Sequence, residues 1–186
     1  TITQPNVLVA IATPTNETCD YLNDGKASAS QTGGTAPYTY GWQPTGATPP
    51  SINSLASGTY TLIVKDGKNC TANTTFTINQ PQTIAITFTN QTNVSCFGGS
   101  NGVVQANVNG GTPNYSYTWT PSGGNAASAT GLNIGTYTVQ IKDNNNCLAT
   151  NSVTITQPSS VTVTNTITNV SCFAGSDAIV TTTISG

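Results

Sequence analysis

Gly131-Leu132-Asn133-Ile134-Gly135-Thr136-Tyr137-Thr138-Val139-Gln140-Ile141-Lys142-Asp143 runs on through Cys147 to Gln157-Pro158. Tyr137, Val139 and Ile141 alternate with Thr138, Gln140 and Lys142, which is the period of a strand with one buried face. Asp143-Asn144-Asn145-Asn146 supplies hairpin-turn residues. The stretch therefore reads as two strands around a tight hairpin. It occurs once before, from Leu55 and Gly58-Thr59-Tyr60 through Lys65-Asp66 and Cys70 to Gln80-Pro81. Tyr60 to Tyr137 and Cys70 to Cys147 are each 77 residues apart. A chain copied at this period is a repeat protein.

The unit edges are marked by three copies of one strand end: Thr1-Ile2-Thr3-Gln4-Pro5, Thr77-Ile78-Asn79-Gln80-Pro81 and Thr154-Ile155-Thr156-Gln157-Pro158. Proline cannot donate to a sheet ladder, so it is a natural stop. Residues 1–5 are expected to end a preceding unit, 6–81 and 82–158 to form two full units, and 159–186 to begin a truncated third. The natural protein is expected to continue in both directions.

Only 5% of the residues are charged, against about 25% in an ordinary soluble domain, and there is no His, Met or Arg. Phosphate binding needs a Lys/Arg footprint, so nucleic acid is not an expected partner. No run of about 18 apolar residues is present, so no membrane insertion by a helix is expected of this segment. Thr, Asn, Ser and Gly carry the polarity instead. Thr beside Val, Ile and Tyr favours strands.

In the second unit, Ile84, Ile86 and Phe88 share one strand face, then Val104, Ala106 and Val108, then Tyr115, Tyr117 and Trp119. Tyr137, Val139 and Ile141 follow, then Val153 and Ile155. The first unit shows Val7, Val9 and Ile11, then Ala27, Ala29 and Gln31, then Tyr38, Tyr40 and Trp42, then Tyr60, Leu62 and Val64, then Phe76 and Ile78. Six to seven short strands per unit predict an all-β chain of antiparallel sandwiches. Leu132-x-x-Gly135-x-Tyr137 resembles the tyrosine corner of immunoglobulin-like sandwiches, where the hydroxyl bonds backbone a few residues upstream. Trp42, Trp119, Tyr60 and Tyr137 are thus expected in the core. Stacking on sugars would instead require the Trp rings to face solvent.

Cys19, Cys96 and Cys172 follow the first strand of each unit, and Cys70 and Cys147 follow the hairpin turn. With no CxxC pair and no His, metal binding is not expected. A catalytic thiol lacks a base. Disulfides are the expected role, which implies an oxidising compartment. Two pairings are open. One is internal, Cys19–Cys70 and Cys96–Cys147. The other crosses units, Cys19–Cys147, with Cys96 and Cys172 paired to units further on. No enzyme is expected: the six acids Glu17, Asp20, Asp24, Asp66, Asp143 and Asp177 are scattered, and no catalytic, metal or cofactor motif appears. The Asp66 and Asp143 loops have one carboxylate each, too few hard ligands for calcium.

Val94-Ser95-Cys96-Phe97-Gly98-Gly99-Ser100, Gly110-Gly111-Thr112-Pro113-Asn114-Tyr115 through Trp119, and Gly135-Thr136-Tyr137-Thr138-Val139 through Cys147 resemble the SprB-type repeat. The resemblance covers both full units and the third fragment. It departs in the first unit, at Cys19-Asp20-Tyr21-Leu22-Asn23-Asp24-Gly25 and Ala36-Pro37-Tyr38. It implies tandem immunoglobulin-like repeats of giant cell-surface adhesins, exported by the type IX system and active in adhesion and gliding. It implies no catalytic residues and no cofactor. The expected partners are neighbouring repeats of the same chain, then other filaments or surface polysaccharide. The expected location is extracellular, on the cell surface.

Overall fold

A computed structural model describes residues 4–186. The strand expected at Thr1-Ile2-Thr3 lies outside the described residues. Fourteen strands follow one another, with no helix among the described residues. The first six are β1 (Val9–Thr15), β2 (Gly25–Thr32), β3 (Thr39–Gln43), β4 (Ser51–Leu55), β5 (Gly58–Lys65) and β6 (Thr71–Ile78). Then come β7 (Ala85–Thr92), β8 (Gly102–Asn109), β9 (Ser116–Thr120), β10 (Ser128–Leu132), β11 (Gly135–Lys142) and β12 (Leu148–Ile155). A hairpin of β13 (Thr162–Thr168) and β14 (Ile179–Ser185) completes the chain.

Each set of six strands makes two three-stranded sheets, β1-β2-β4 with β3-β5-β6 and β10-β8-β7 with β12-β11-β9. The two sets share register details 77 residues apart. Ala27 pairs Ile52 and Gly25 pairs Leu55 across a bulge, while Val104 pairs Ala129 and Gly102 pairs Leu132 across another. The chain divides into two compact units. One runs through Ala85 and takes in the loop segments Asn109–Tyr115 and Lys142–Leu148. The other holds Ile86–Val108, Ser116–Ile141 and Ala149–Gly186.

In the first set, one core draws on both sheets: Ala10, Ala27, Ile52 and Leu55 from one, Trp42, Tyr60, Leu62, Val64 and Ile78 from the other. That makes it a sandwich. Phe76 meets the Trp42 ring edge-on at 5.8 Å and stacks on Tyr60 at 5.7 Å. Val104, Ala106, Trp119, Ala129, Leu132, Tyr137, Val139, Ile141, Val153 and Ile155 are buried in the second set. The architecture is an immunoglobulin-like antiparallel sandwich used twice.

One strand face is the reverse of the expectation. Val7, Val9 and Ile11 are 77%, 45% and 41% exposed, while Ala10 between them is buried. The physical cause is a one-residue difference between the repeats. Gly34 N–H bonds the Asn6 carbonyl and Gly111 N–H bonds the Gln82 carbonyl, so Asn6 answers to Gln82 at an offset of 76. Leu8, not Val7, thus answers to Ile84. A slip of one residue turns every side chain of a strand to the other face.

Candidate functional site: the Cys19–Cys147 joint

The hairpin between β5 and β6 is built around one carboxylate. Asp66 Oδ1 accepts from the N–H groups of Lys68 (2.9 Å) and Cys70 (2.8 Å), and Oδ2 from Thr35 N–H (3.0 Å). Asp143 repeats this with Asn145 (2.9 Å), Cys147 (2.8 Å) and Thr112 (2.8 Å). Both side chains are buried. Burial pushes the Asp66 carboxyl up, but the N–H donors of Thr35, Cys70 and Lys68 more than reverse this and hold it below its ordinary value. Asn69 and Asn146 adopt φ of 68° and 67°, a region Asn tolerates. The carboxylate organises the turn and presents the following cysteine.

The loop after β1 is the other component. Asp24 accepts from the Thr18 hydroxyl and the Thr18 N–H, which hold its carboxyl below the ordinary value. Leu22 N–H reaches the Cys19 carbonyl at 3.4 Å. The loop is anchored to its sandwich by Glu17 N–H on the Asn79 carbonyl (3.0 Å) and Asn79 N–H on Asn16 Oδ1 (2.9 Å).

Within the first compact unit, these two loops are joined. Cys19 and Cys147 form a disulfide with Cα atoms 5.6 Å apart, 128 residues apart in sequence. Of the two pairings left open by spacing, the structure contains the one that crosses repeats. Leu148 N–H donates to the Tyr21 hydroxyl at 3.1 Å, and Asn145 Nδ2 lies 3.4 Å from the Thr18 carbonyl. Cys19 and Cys147 are 2% and 3% exposed, so the joint is closed to solvent. Cys70, Cys96 and Cys172 are exposed free thiols.

The four aromatic residues expected in the core are buried. Tyr60 donates to the Ala56 carbonyl (2.9 Å) and Tyr137 to that of Asn133 (3.2 Å), four residues upstream in each case. These are tyrosine corners. Trp42 Nε1 donates to the Pro49 carbonyl (2.7 Å) and Trp119 Nε1 to that of Ala126 (3.0 Å). With rings 0% and 5% exposed, neither Trp offers a stacking platform for sugars. Two features escaped the sequence reading. Tyr38 and Tyr115 form a second pair of clasps, each bonding a glycine carbonyl five residues upstream, at 2.8 and 2.7 Å. Glu17 is 5% exposed, and neither carboxylate oxygen finds a hydrogen-bond partner among the described residues. Its matching position holds Val94, also buried. No group of three or more His, Cys, Asp or Glu able to hold a metal occurs among the described residues.

Among solved structures, the N-terminal eight Ig domains of Down Syndrome Cell Adhesion Molecule isoform 1.30.30 are similar over 86% of this chain, at 15% identity and a TM-score of 0.44. The S-layer protein rSbsC(31–844) is similar over 96%, at 15% identity and a TM-score of 0.33. The chain spans 25% of the length of the first and 36% of the second. No curated protein matches the sequence. The model of the SprB repeat matches at residues 11–50 and 88–124, each segment running from the first strand of a sandwich through the cysteine loop into the strands beyond. These two segments, one in each sandwich, are what the chain shares with the SprB repeat.

Proposed function

We propose that this chain is a segment of a long extracellular filament on a bacterial surface, a spacer that carries load to a binding tip for adhesion and gliding. The observation that carries this reading is the Cys19–Cys147 bond, which ties one repeat covalently to the next. Tension along the chain enters the bond at Cys19 and leaves at Cys147, bypassing the residues between. Repeat arrays gain length by copying a unit whose contacts are mainly with its neighbours. Burial of both Trp rings favours this reading over a polysaccharide-binding module, and no catalytic residue is assigned.

Force spectroscopy tests the load-bearing role. Pulled from its two ends, the oxidised fragment unfolds to a contour shorter by the 128-residue span, about 450 Å at roughly 3.5 Å per residue. Reduction restores that length. Equal contours in both states overturn the bypass. Antibody against the fragment is expected to label intact cells without permeabilisation, and labelling only after lysis contradicts surface display.

A further inference from the structure

Two hydrogen bonds flank the disulfide of the joint, one on each side. Just past Cys147, Leu148 N–H donates to the Tyr21 hydroxyl at 3.1 Å. Just before Cys19, the Thr18 carbonyl faces Asn145 Nδ2 at 3.4 Å. In both, the hairpin donates and the loop accepts. β12 lies at the edge of its sheet, so the backbone groups on its outer side have no strand beside them. Asn145 is itself held, its N–H on Asp143 Oδ1 at 2.9 Å and its side-chain amide on Thr112 Oγ1 at 3.0 Å. The amide that meets Thr18 is therefore fixed in place by its own hairpin.

Tyr21 owes its position to the turn it stands in. Leu22 N–H closes a turn onto the Cys19 carbonyl, as Gly99 and Gly175 N–H close turns onto those of Cys96 and Cys172. The third residues of the latter two turns, Gly98 and Ala174, have φ of 74° and 61°, the left-handed geometry of a type II turn. Tyr21, third in the first turn, keeps a negative φ, which a large side chain adopts without strain. Of the three loops, only this one offers a hydroxyl at that position. In the first hairpin, Lys68 stands where the second has Asn145. Neither clasp belongs to the shared pattern that builds loop and hairpin; both are additions at this joint.

We propose that Tyr21 and Asn145 are the positioning residues of the joint: their two clasps dock the Cys19 loop on the Cys147 hairpin before the thiols react, and so raise the effective concentration of one thiol at the other. A disulfide forms only within a narrow window, about 4.4–6.8 Å between Cα atoms, and this pair stands at 5.6 Å. Ordering two loops into that window costs conformational entropy, which the clasps offset. Closure consumes a small disulfide such as oxidised glutathione. One protein thiolate attacks it, forming a mixed disulfide and releasing one glutathione thiol. The second protein thiolate attacks the mixed disulfide and releases the other. Two electrons pass to glutathione, and two thiols become one disulfide. The inference concerns the joint alone and does not depend on the surface-filament reading.

The chain is reduced, equilibrated with reduced and oxidised glutathione, quenched with acid, alkylated and mapped, so that the ratio of joined to open Cys19–Cys147 is read directly. The net worth of one hydrogen bond in water is modest, so Tyr21→Phe and Asn145→Ala are each expected to lower that ratio by about 2- to 10-fold, and the two together by more than either. Asp20→Phe with Tyr21→Gly gives this loop the Cys-Phe-Gly sequence of the second, and is expected to lower the ratio at least as far as Tyr21→Phe. The unfolding midpoint of the reduced chain is expected to stay in place, because an unlocked joint opens before a sandwich unfolds. A ratio unmoved by both single substitutions, a shift seen only together with a lower midpoint of the reduced chain, or no Cys19–Cys147 peptide from the native chain would overturn the proposal.

Discussion

The hairpins ending at Cys70 and Cys147 are the same loop with different neighbours. Each is held by one buried Asp through matching N–H bonds, yet one cysteine is an exposed thiol and the other a buried half-cystine. Local chemistry builds the loop, and the partner decides its state. The loops after the first strands differ in the opposite way. There Glu17 and Val94 occupy matching buried positions, so the surroundings are alike and the side chain is not.

The largest effect tests whether the two sandwiches share a core plan. Replacing Trp42 or Trp119 with Ala removes a buried ring and its Nε1 bond, and each is expected to cost about 3–5 kcal/mol in denaturant unfolding. A loss under about 1 kcal/mol at either would break the equivalence of the repeats.

The joint itself comes next. Cys147→Ala opens a bond across 128 residues, with an expected cost of about 2–5 kcal/mol. Cys70→Ala, in the matching hairpin, is expected to stay within about 0.5 kcal/mol. Similar losses at both would mean that the hairpin, not its partner, makes the difference.

Glu17→Val sharpens the contrast between the loops. An unpartnered buried polar group costs about 1–3 kcal/mol, so this substitution is expected to stabilise by that order. Val94→Glu, its converse, is expected to destabilise. A neutral Glu17→Val would show that the carboxylate has a partner in solution.

Acid gives the smallest effect. Asp24 and Asp66 are held below their ordinary values, Asp24 by the Thr18 hydroxyl and N–H, Asp66 by backbone donors acting against burial. Groups with depressed folded values stabilise above the unfolded value, about 3.9, and that contribution is lost as pH falls through the folded one. Unfolding stability is expected to hold from pH 7 to about 5 and to drop below about 4. Asp66→Asn is expected to flatten part of that drop, and an unchanged profile would remove Asp66 from the account.

Much of this was legible in the sequence because it is local. Alternation placed the buried faces of β5 and β11, and the Leu-x-x-Gly-x-Tyr spacing marked both tyrosine corners. Val7, Val9 and Ile11 misled because they are apolar and alternate correctly, while the inward positions of β1 hold the small residues Ala10 and Ala12. Alternation alone cannot tell which of two apolar faces is inside. Glu17 was invisible for a related reason: a charged residue in a loop reads as solvated until the chain that covers it is known. The disulfide partner depends on which chain ends meet, and spacing of 51 residues within each repeat suited the internal pairing as well as the crossing one.

Non-reducing peptide mapping of the native fragment tests the central claim most directly. A peptide joining Cys19 to Cys147 is the expected product, with Cys70 and Cys96 recovered as free thiols. Peptides joining Cys19 to Cys70 and Cys96 to Cys147 would contradict the account, because each sandwich would then be closed on itself and no disulfide would join one repeat to the next.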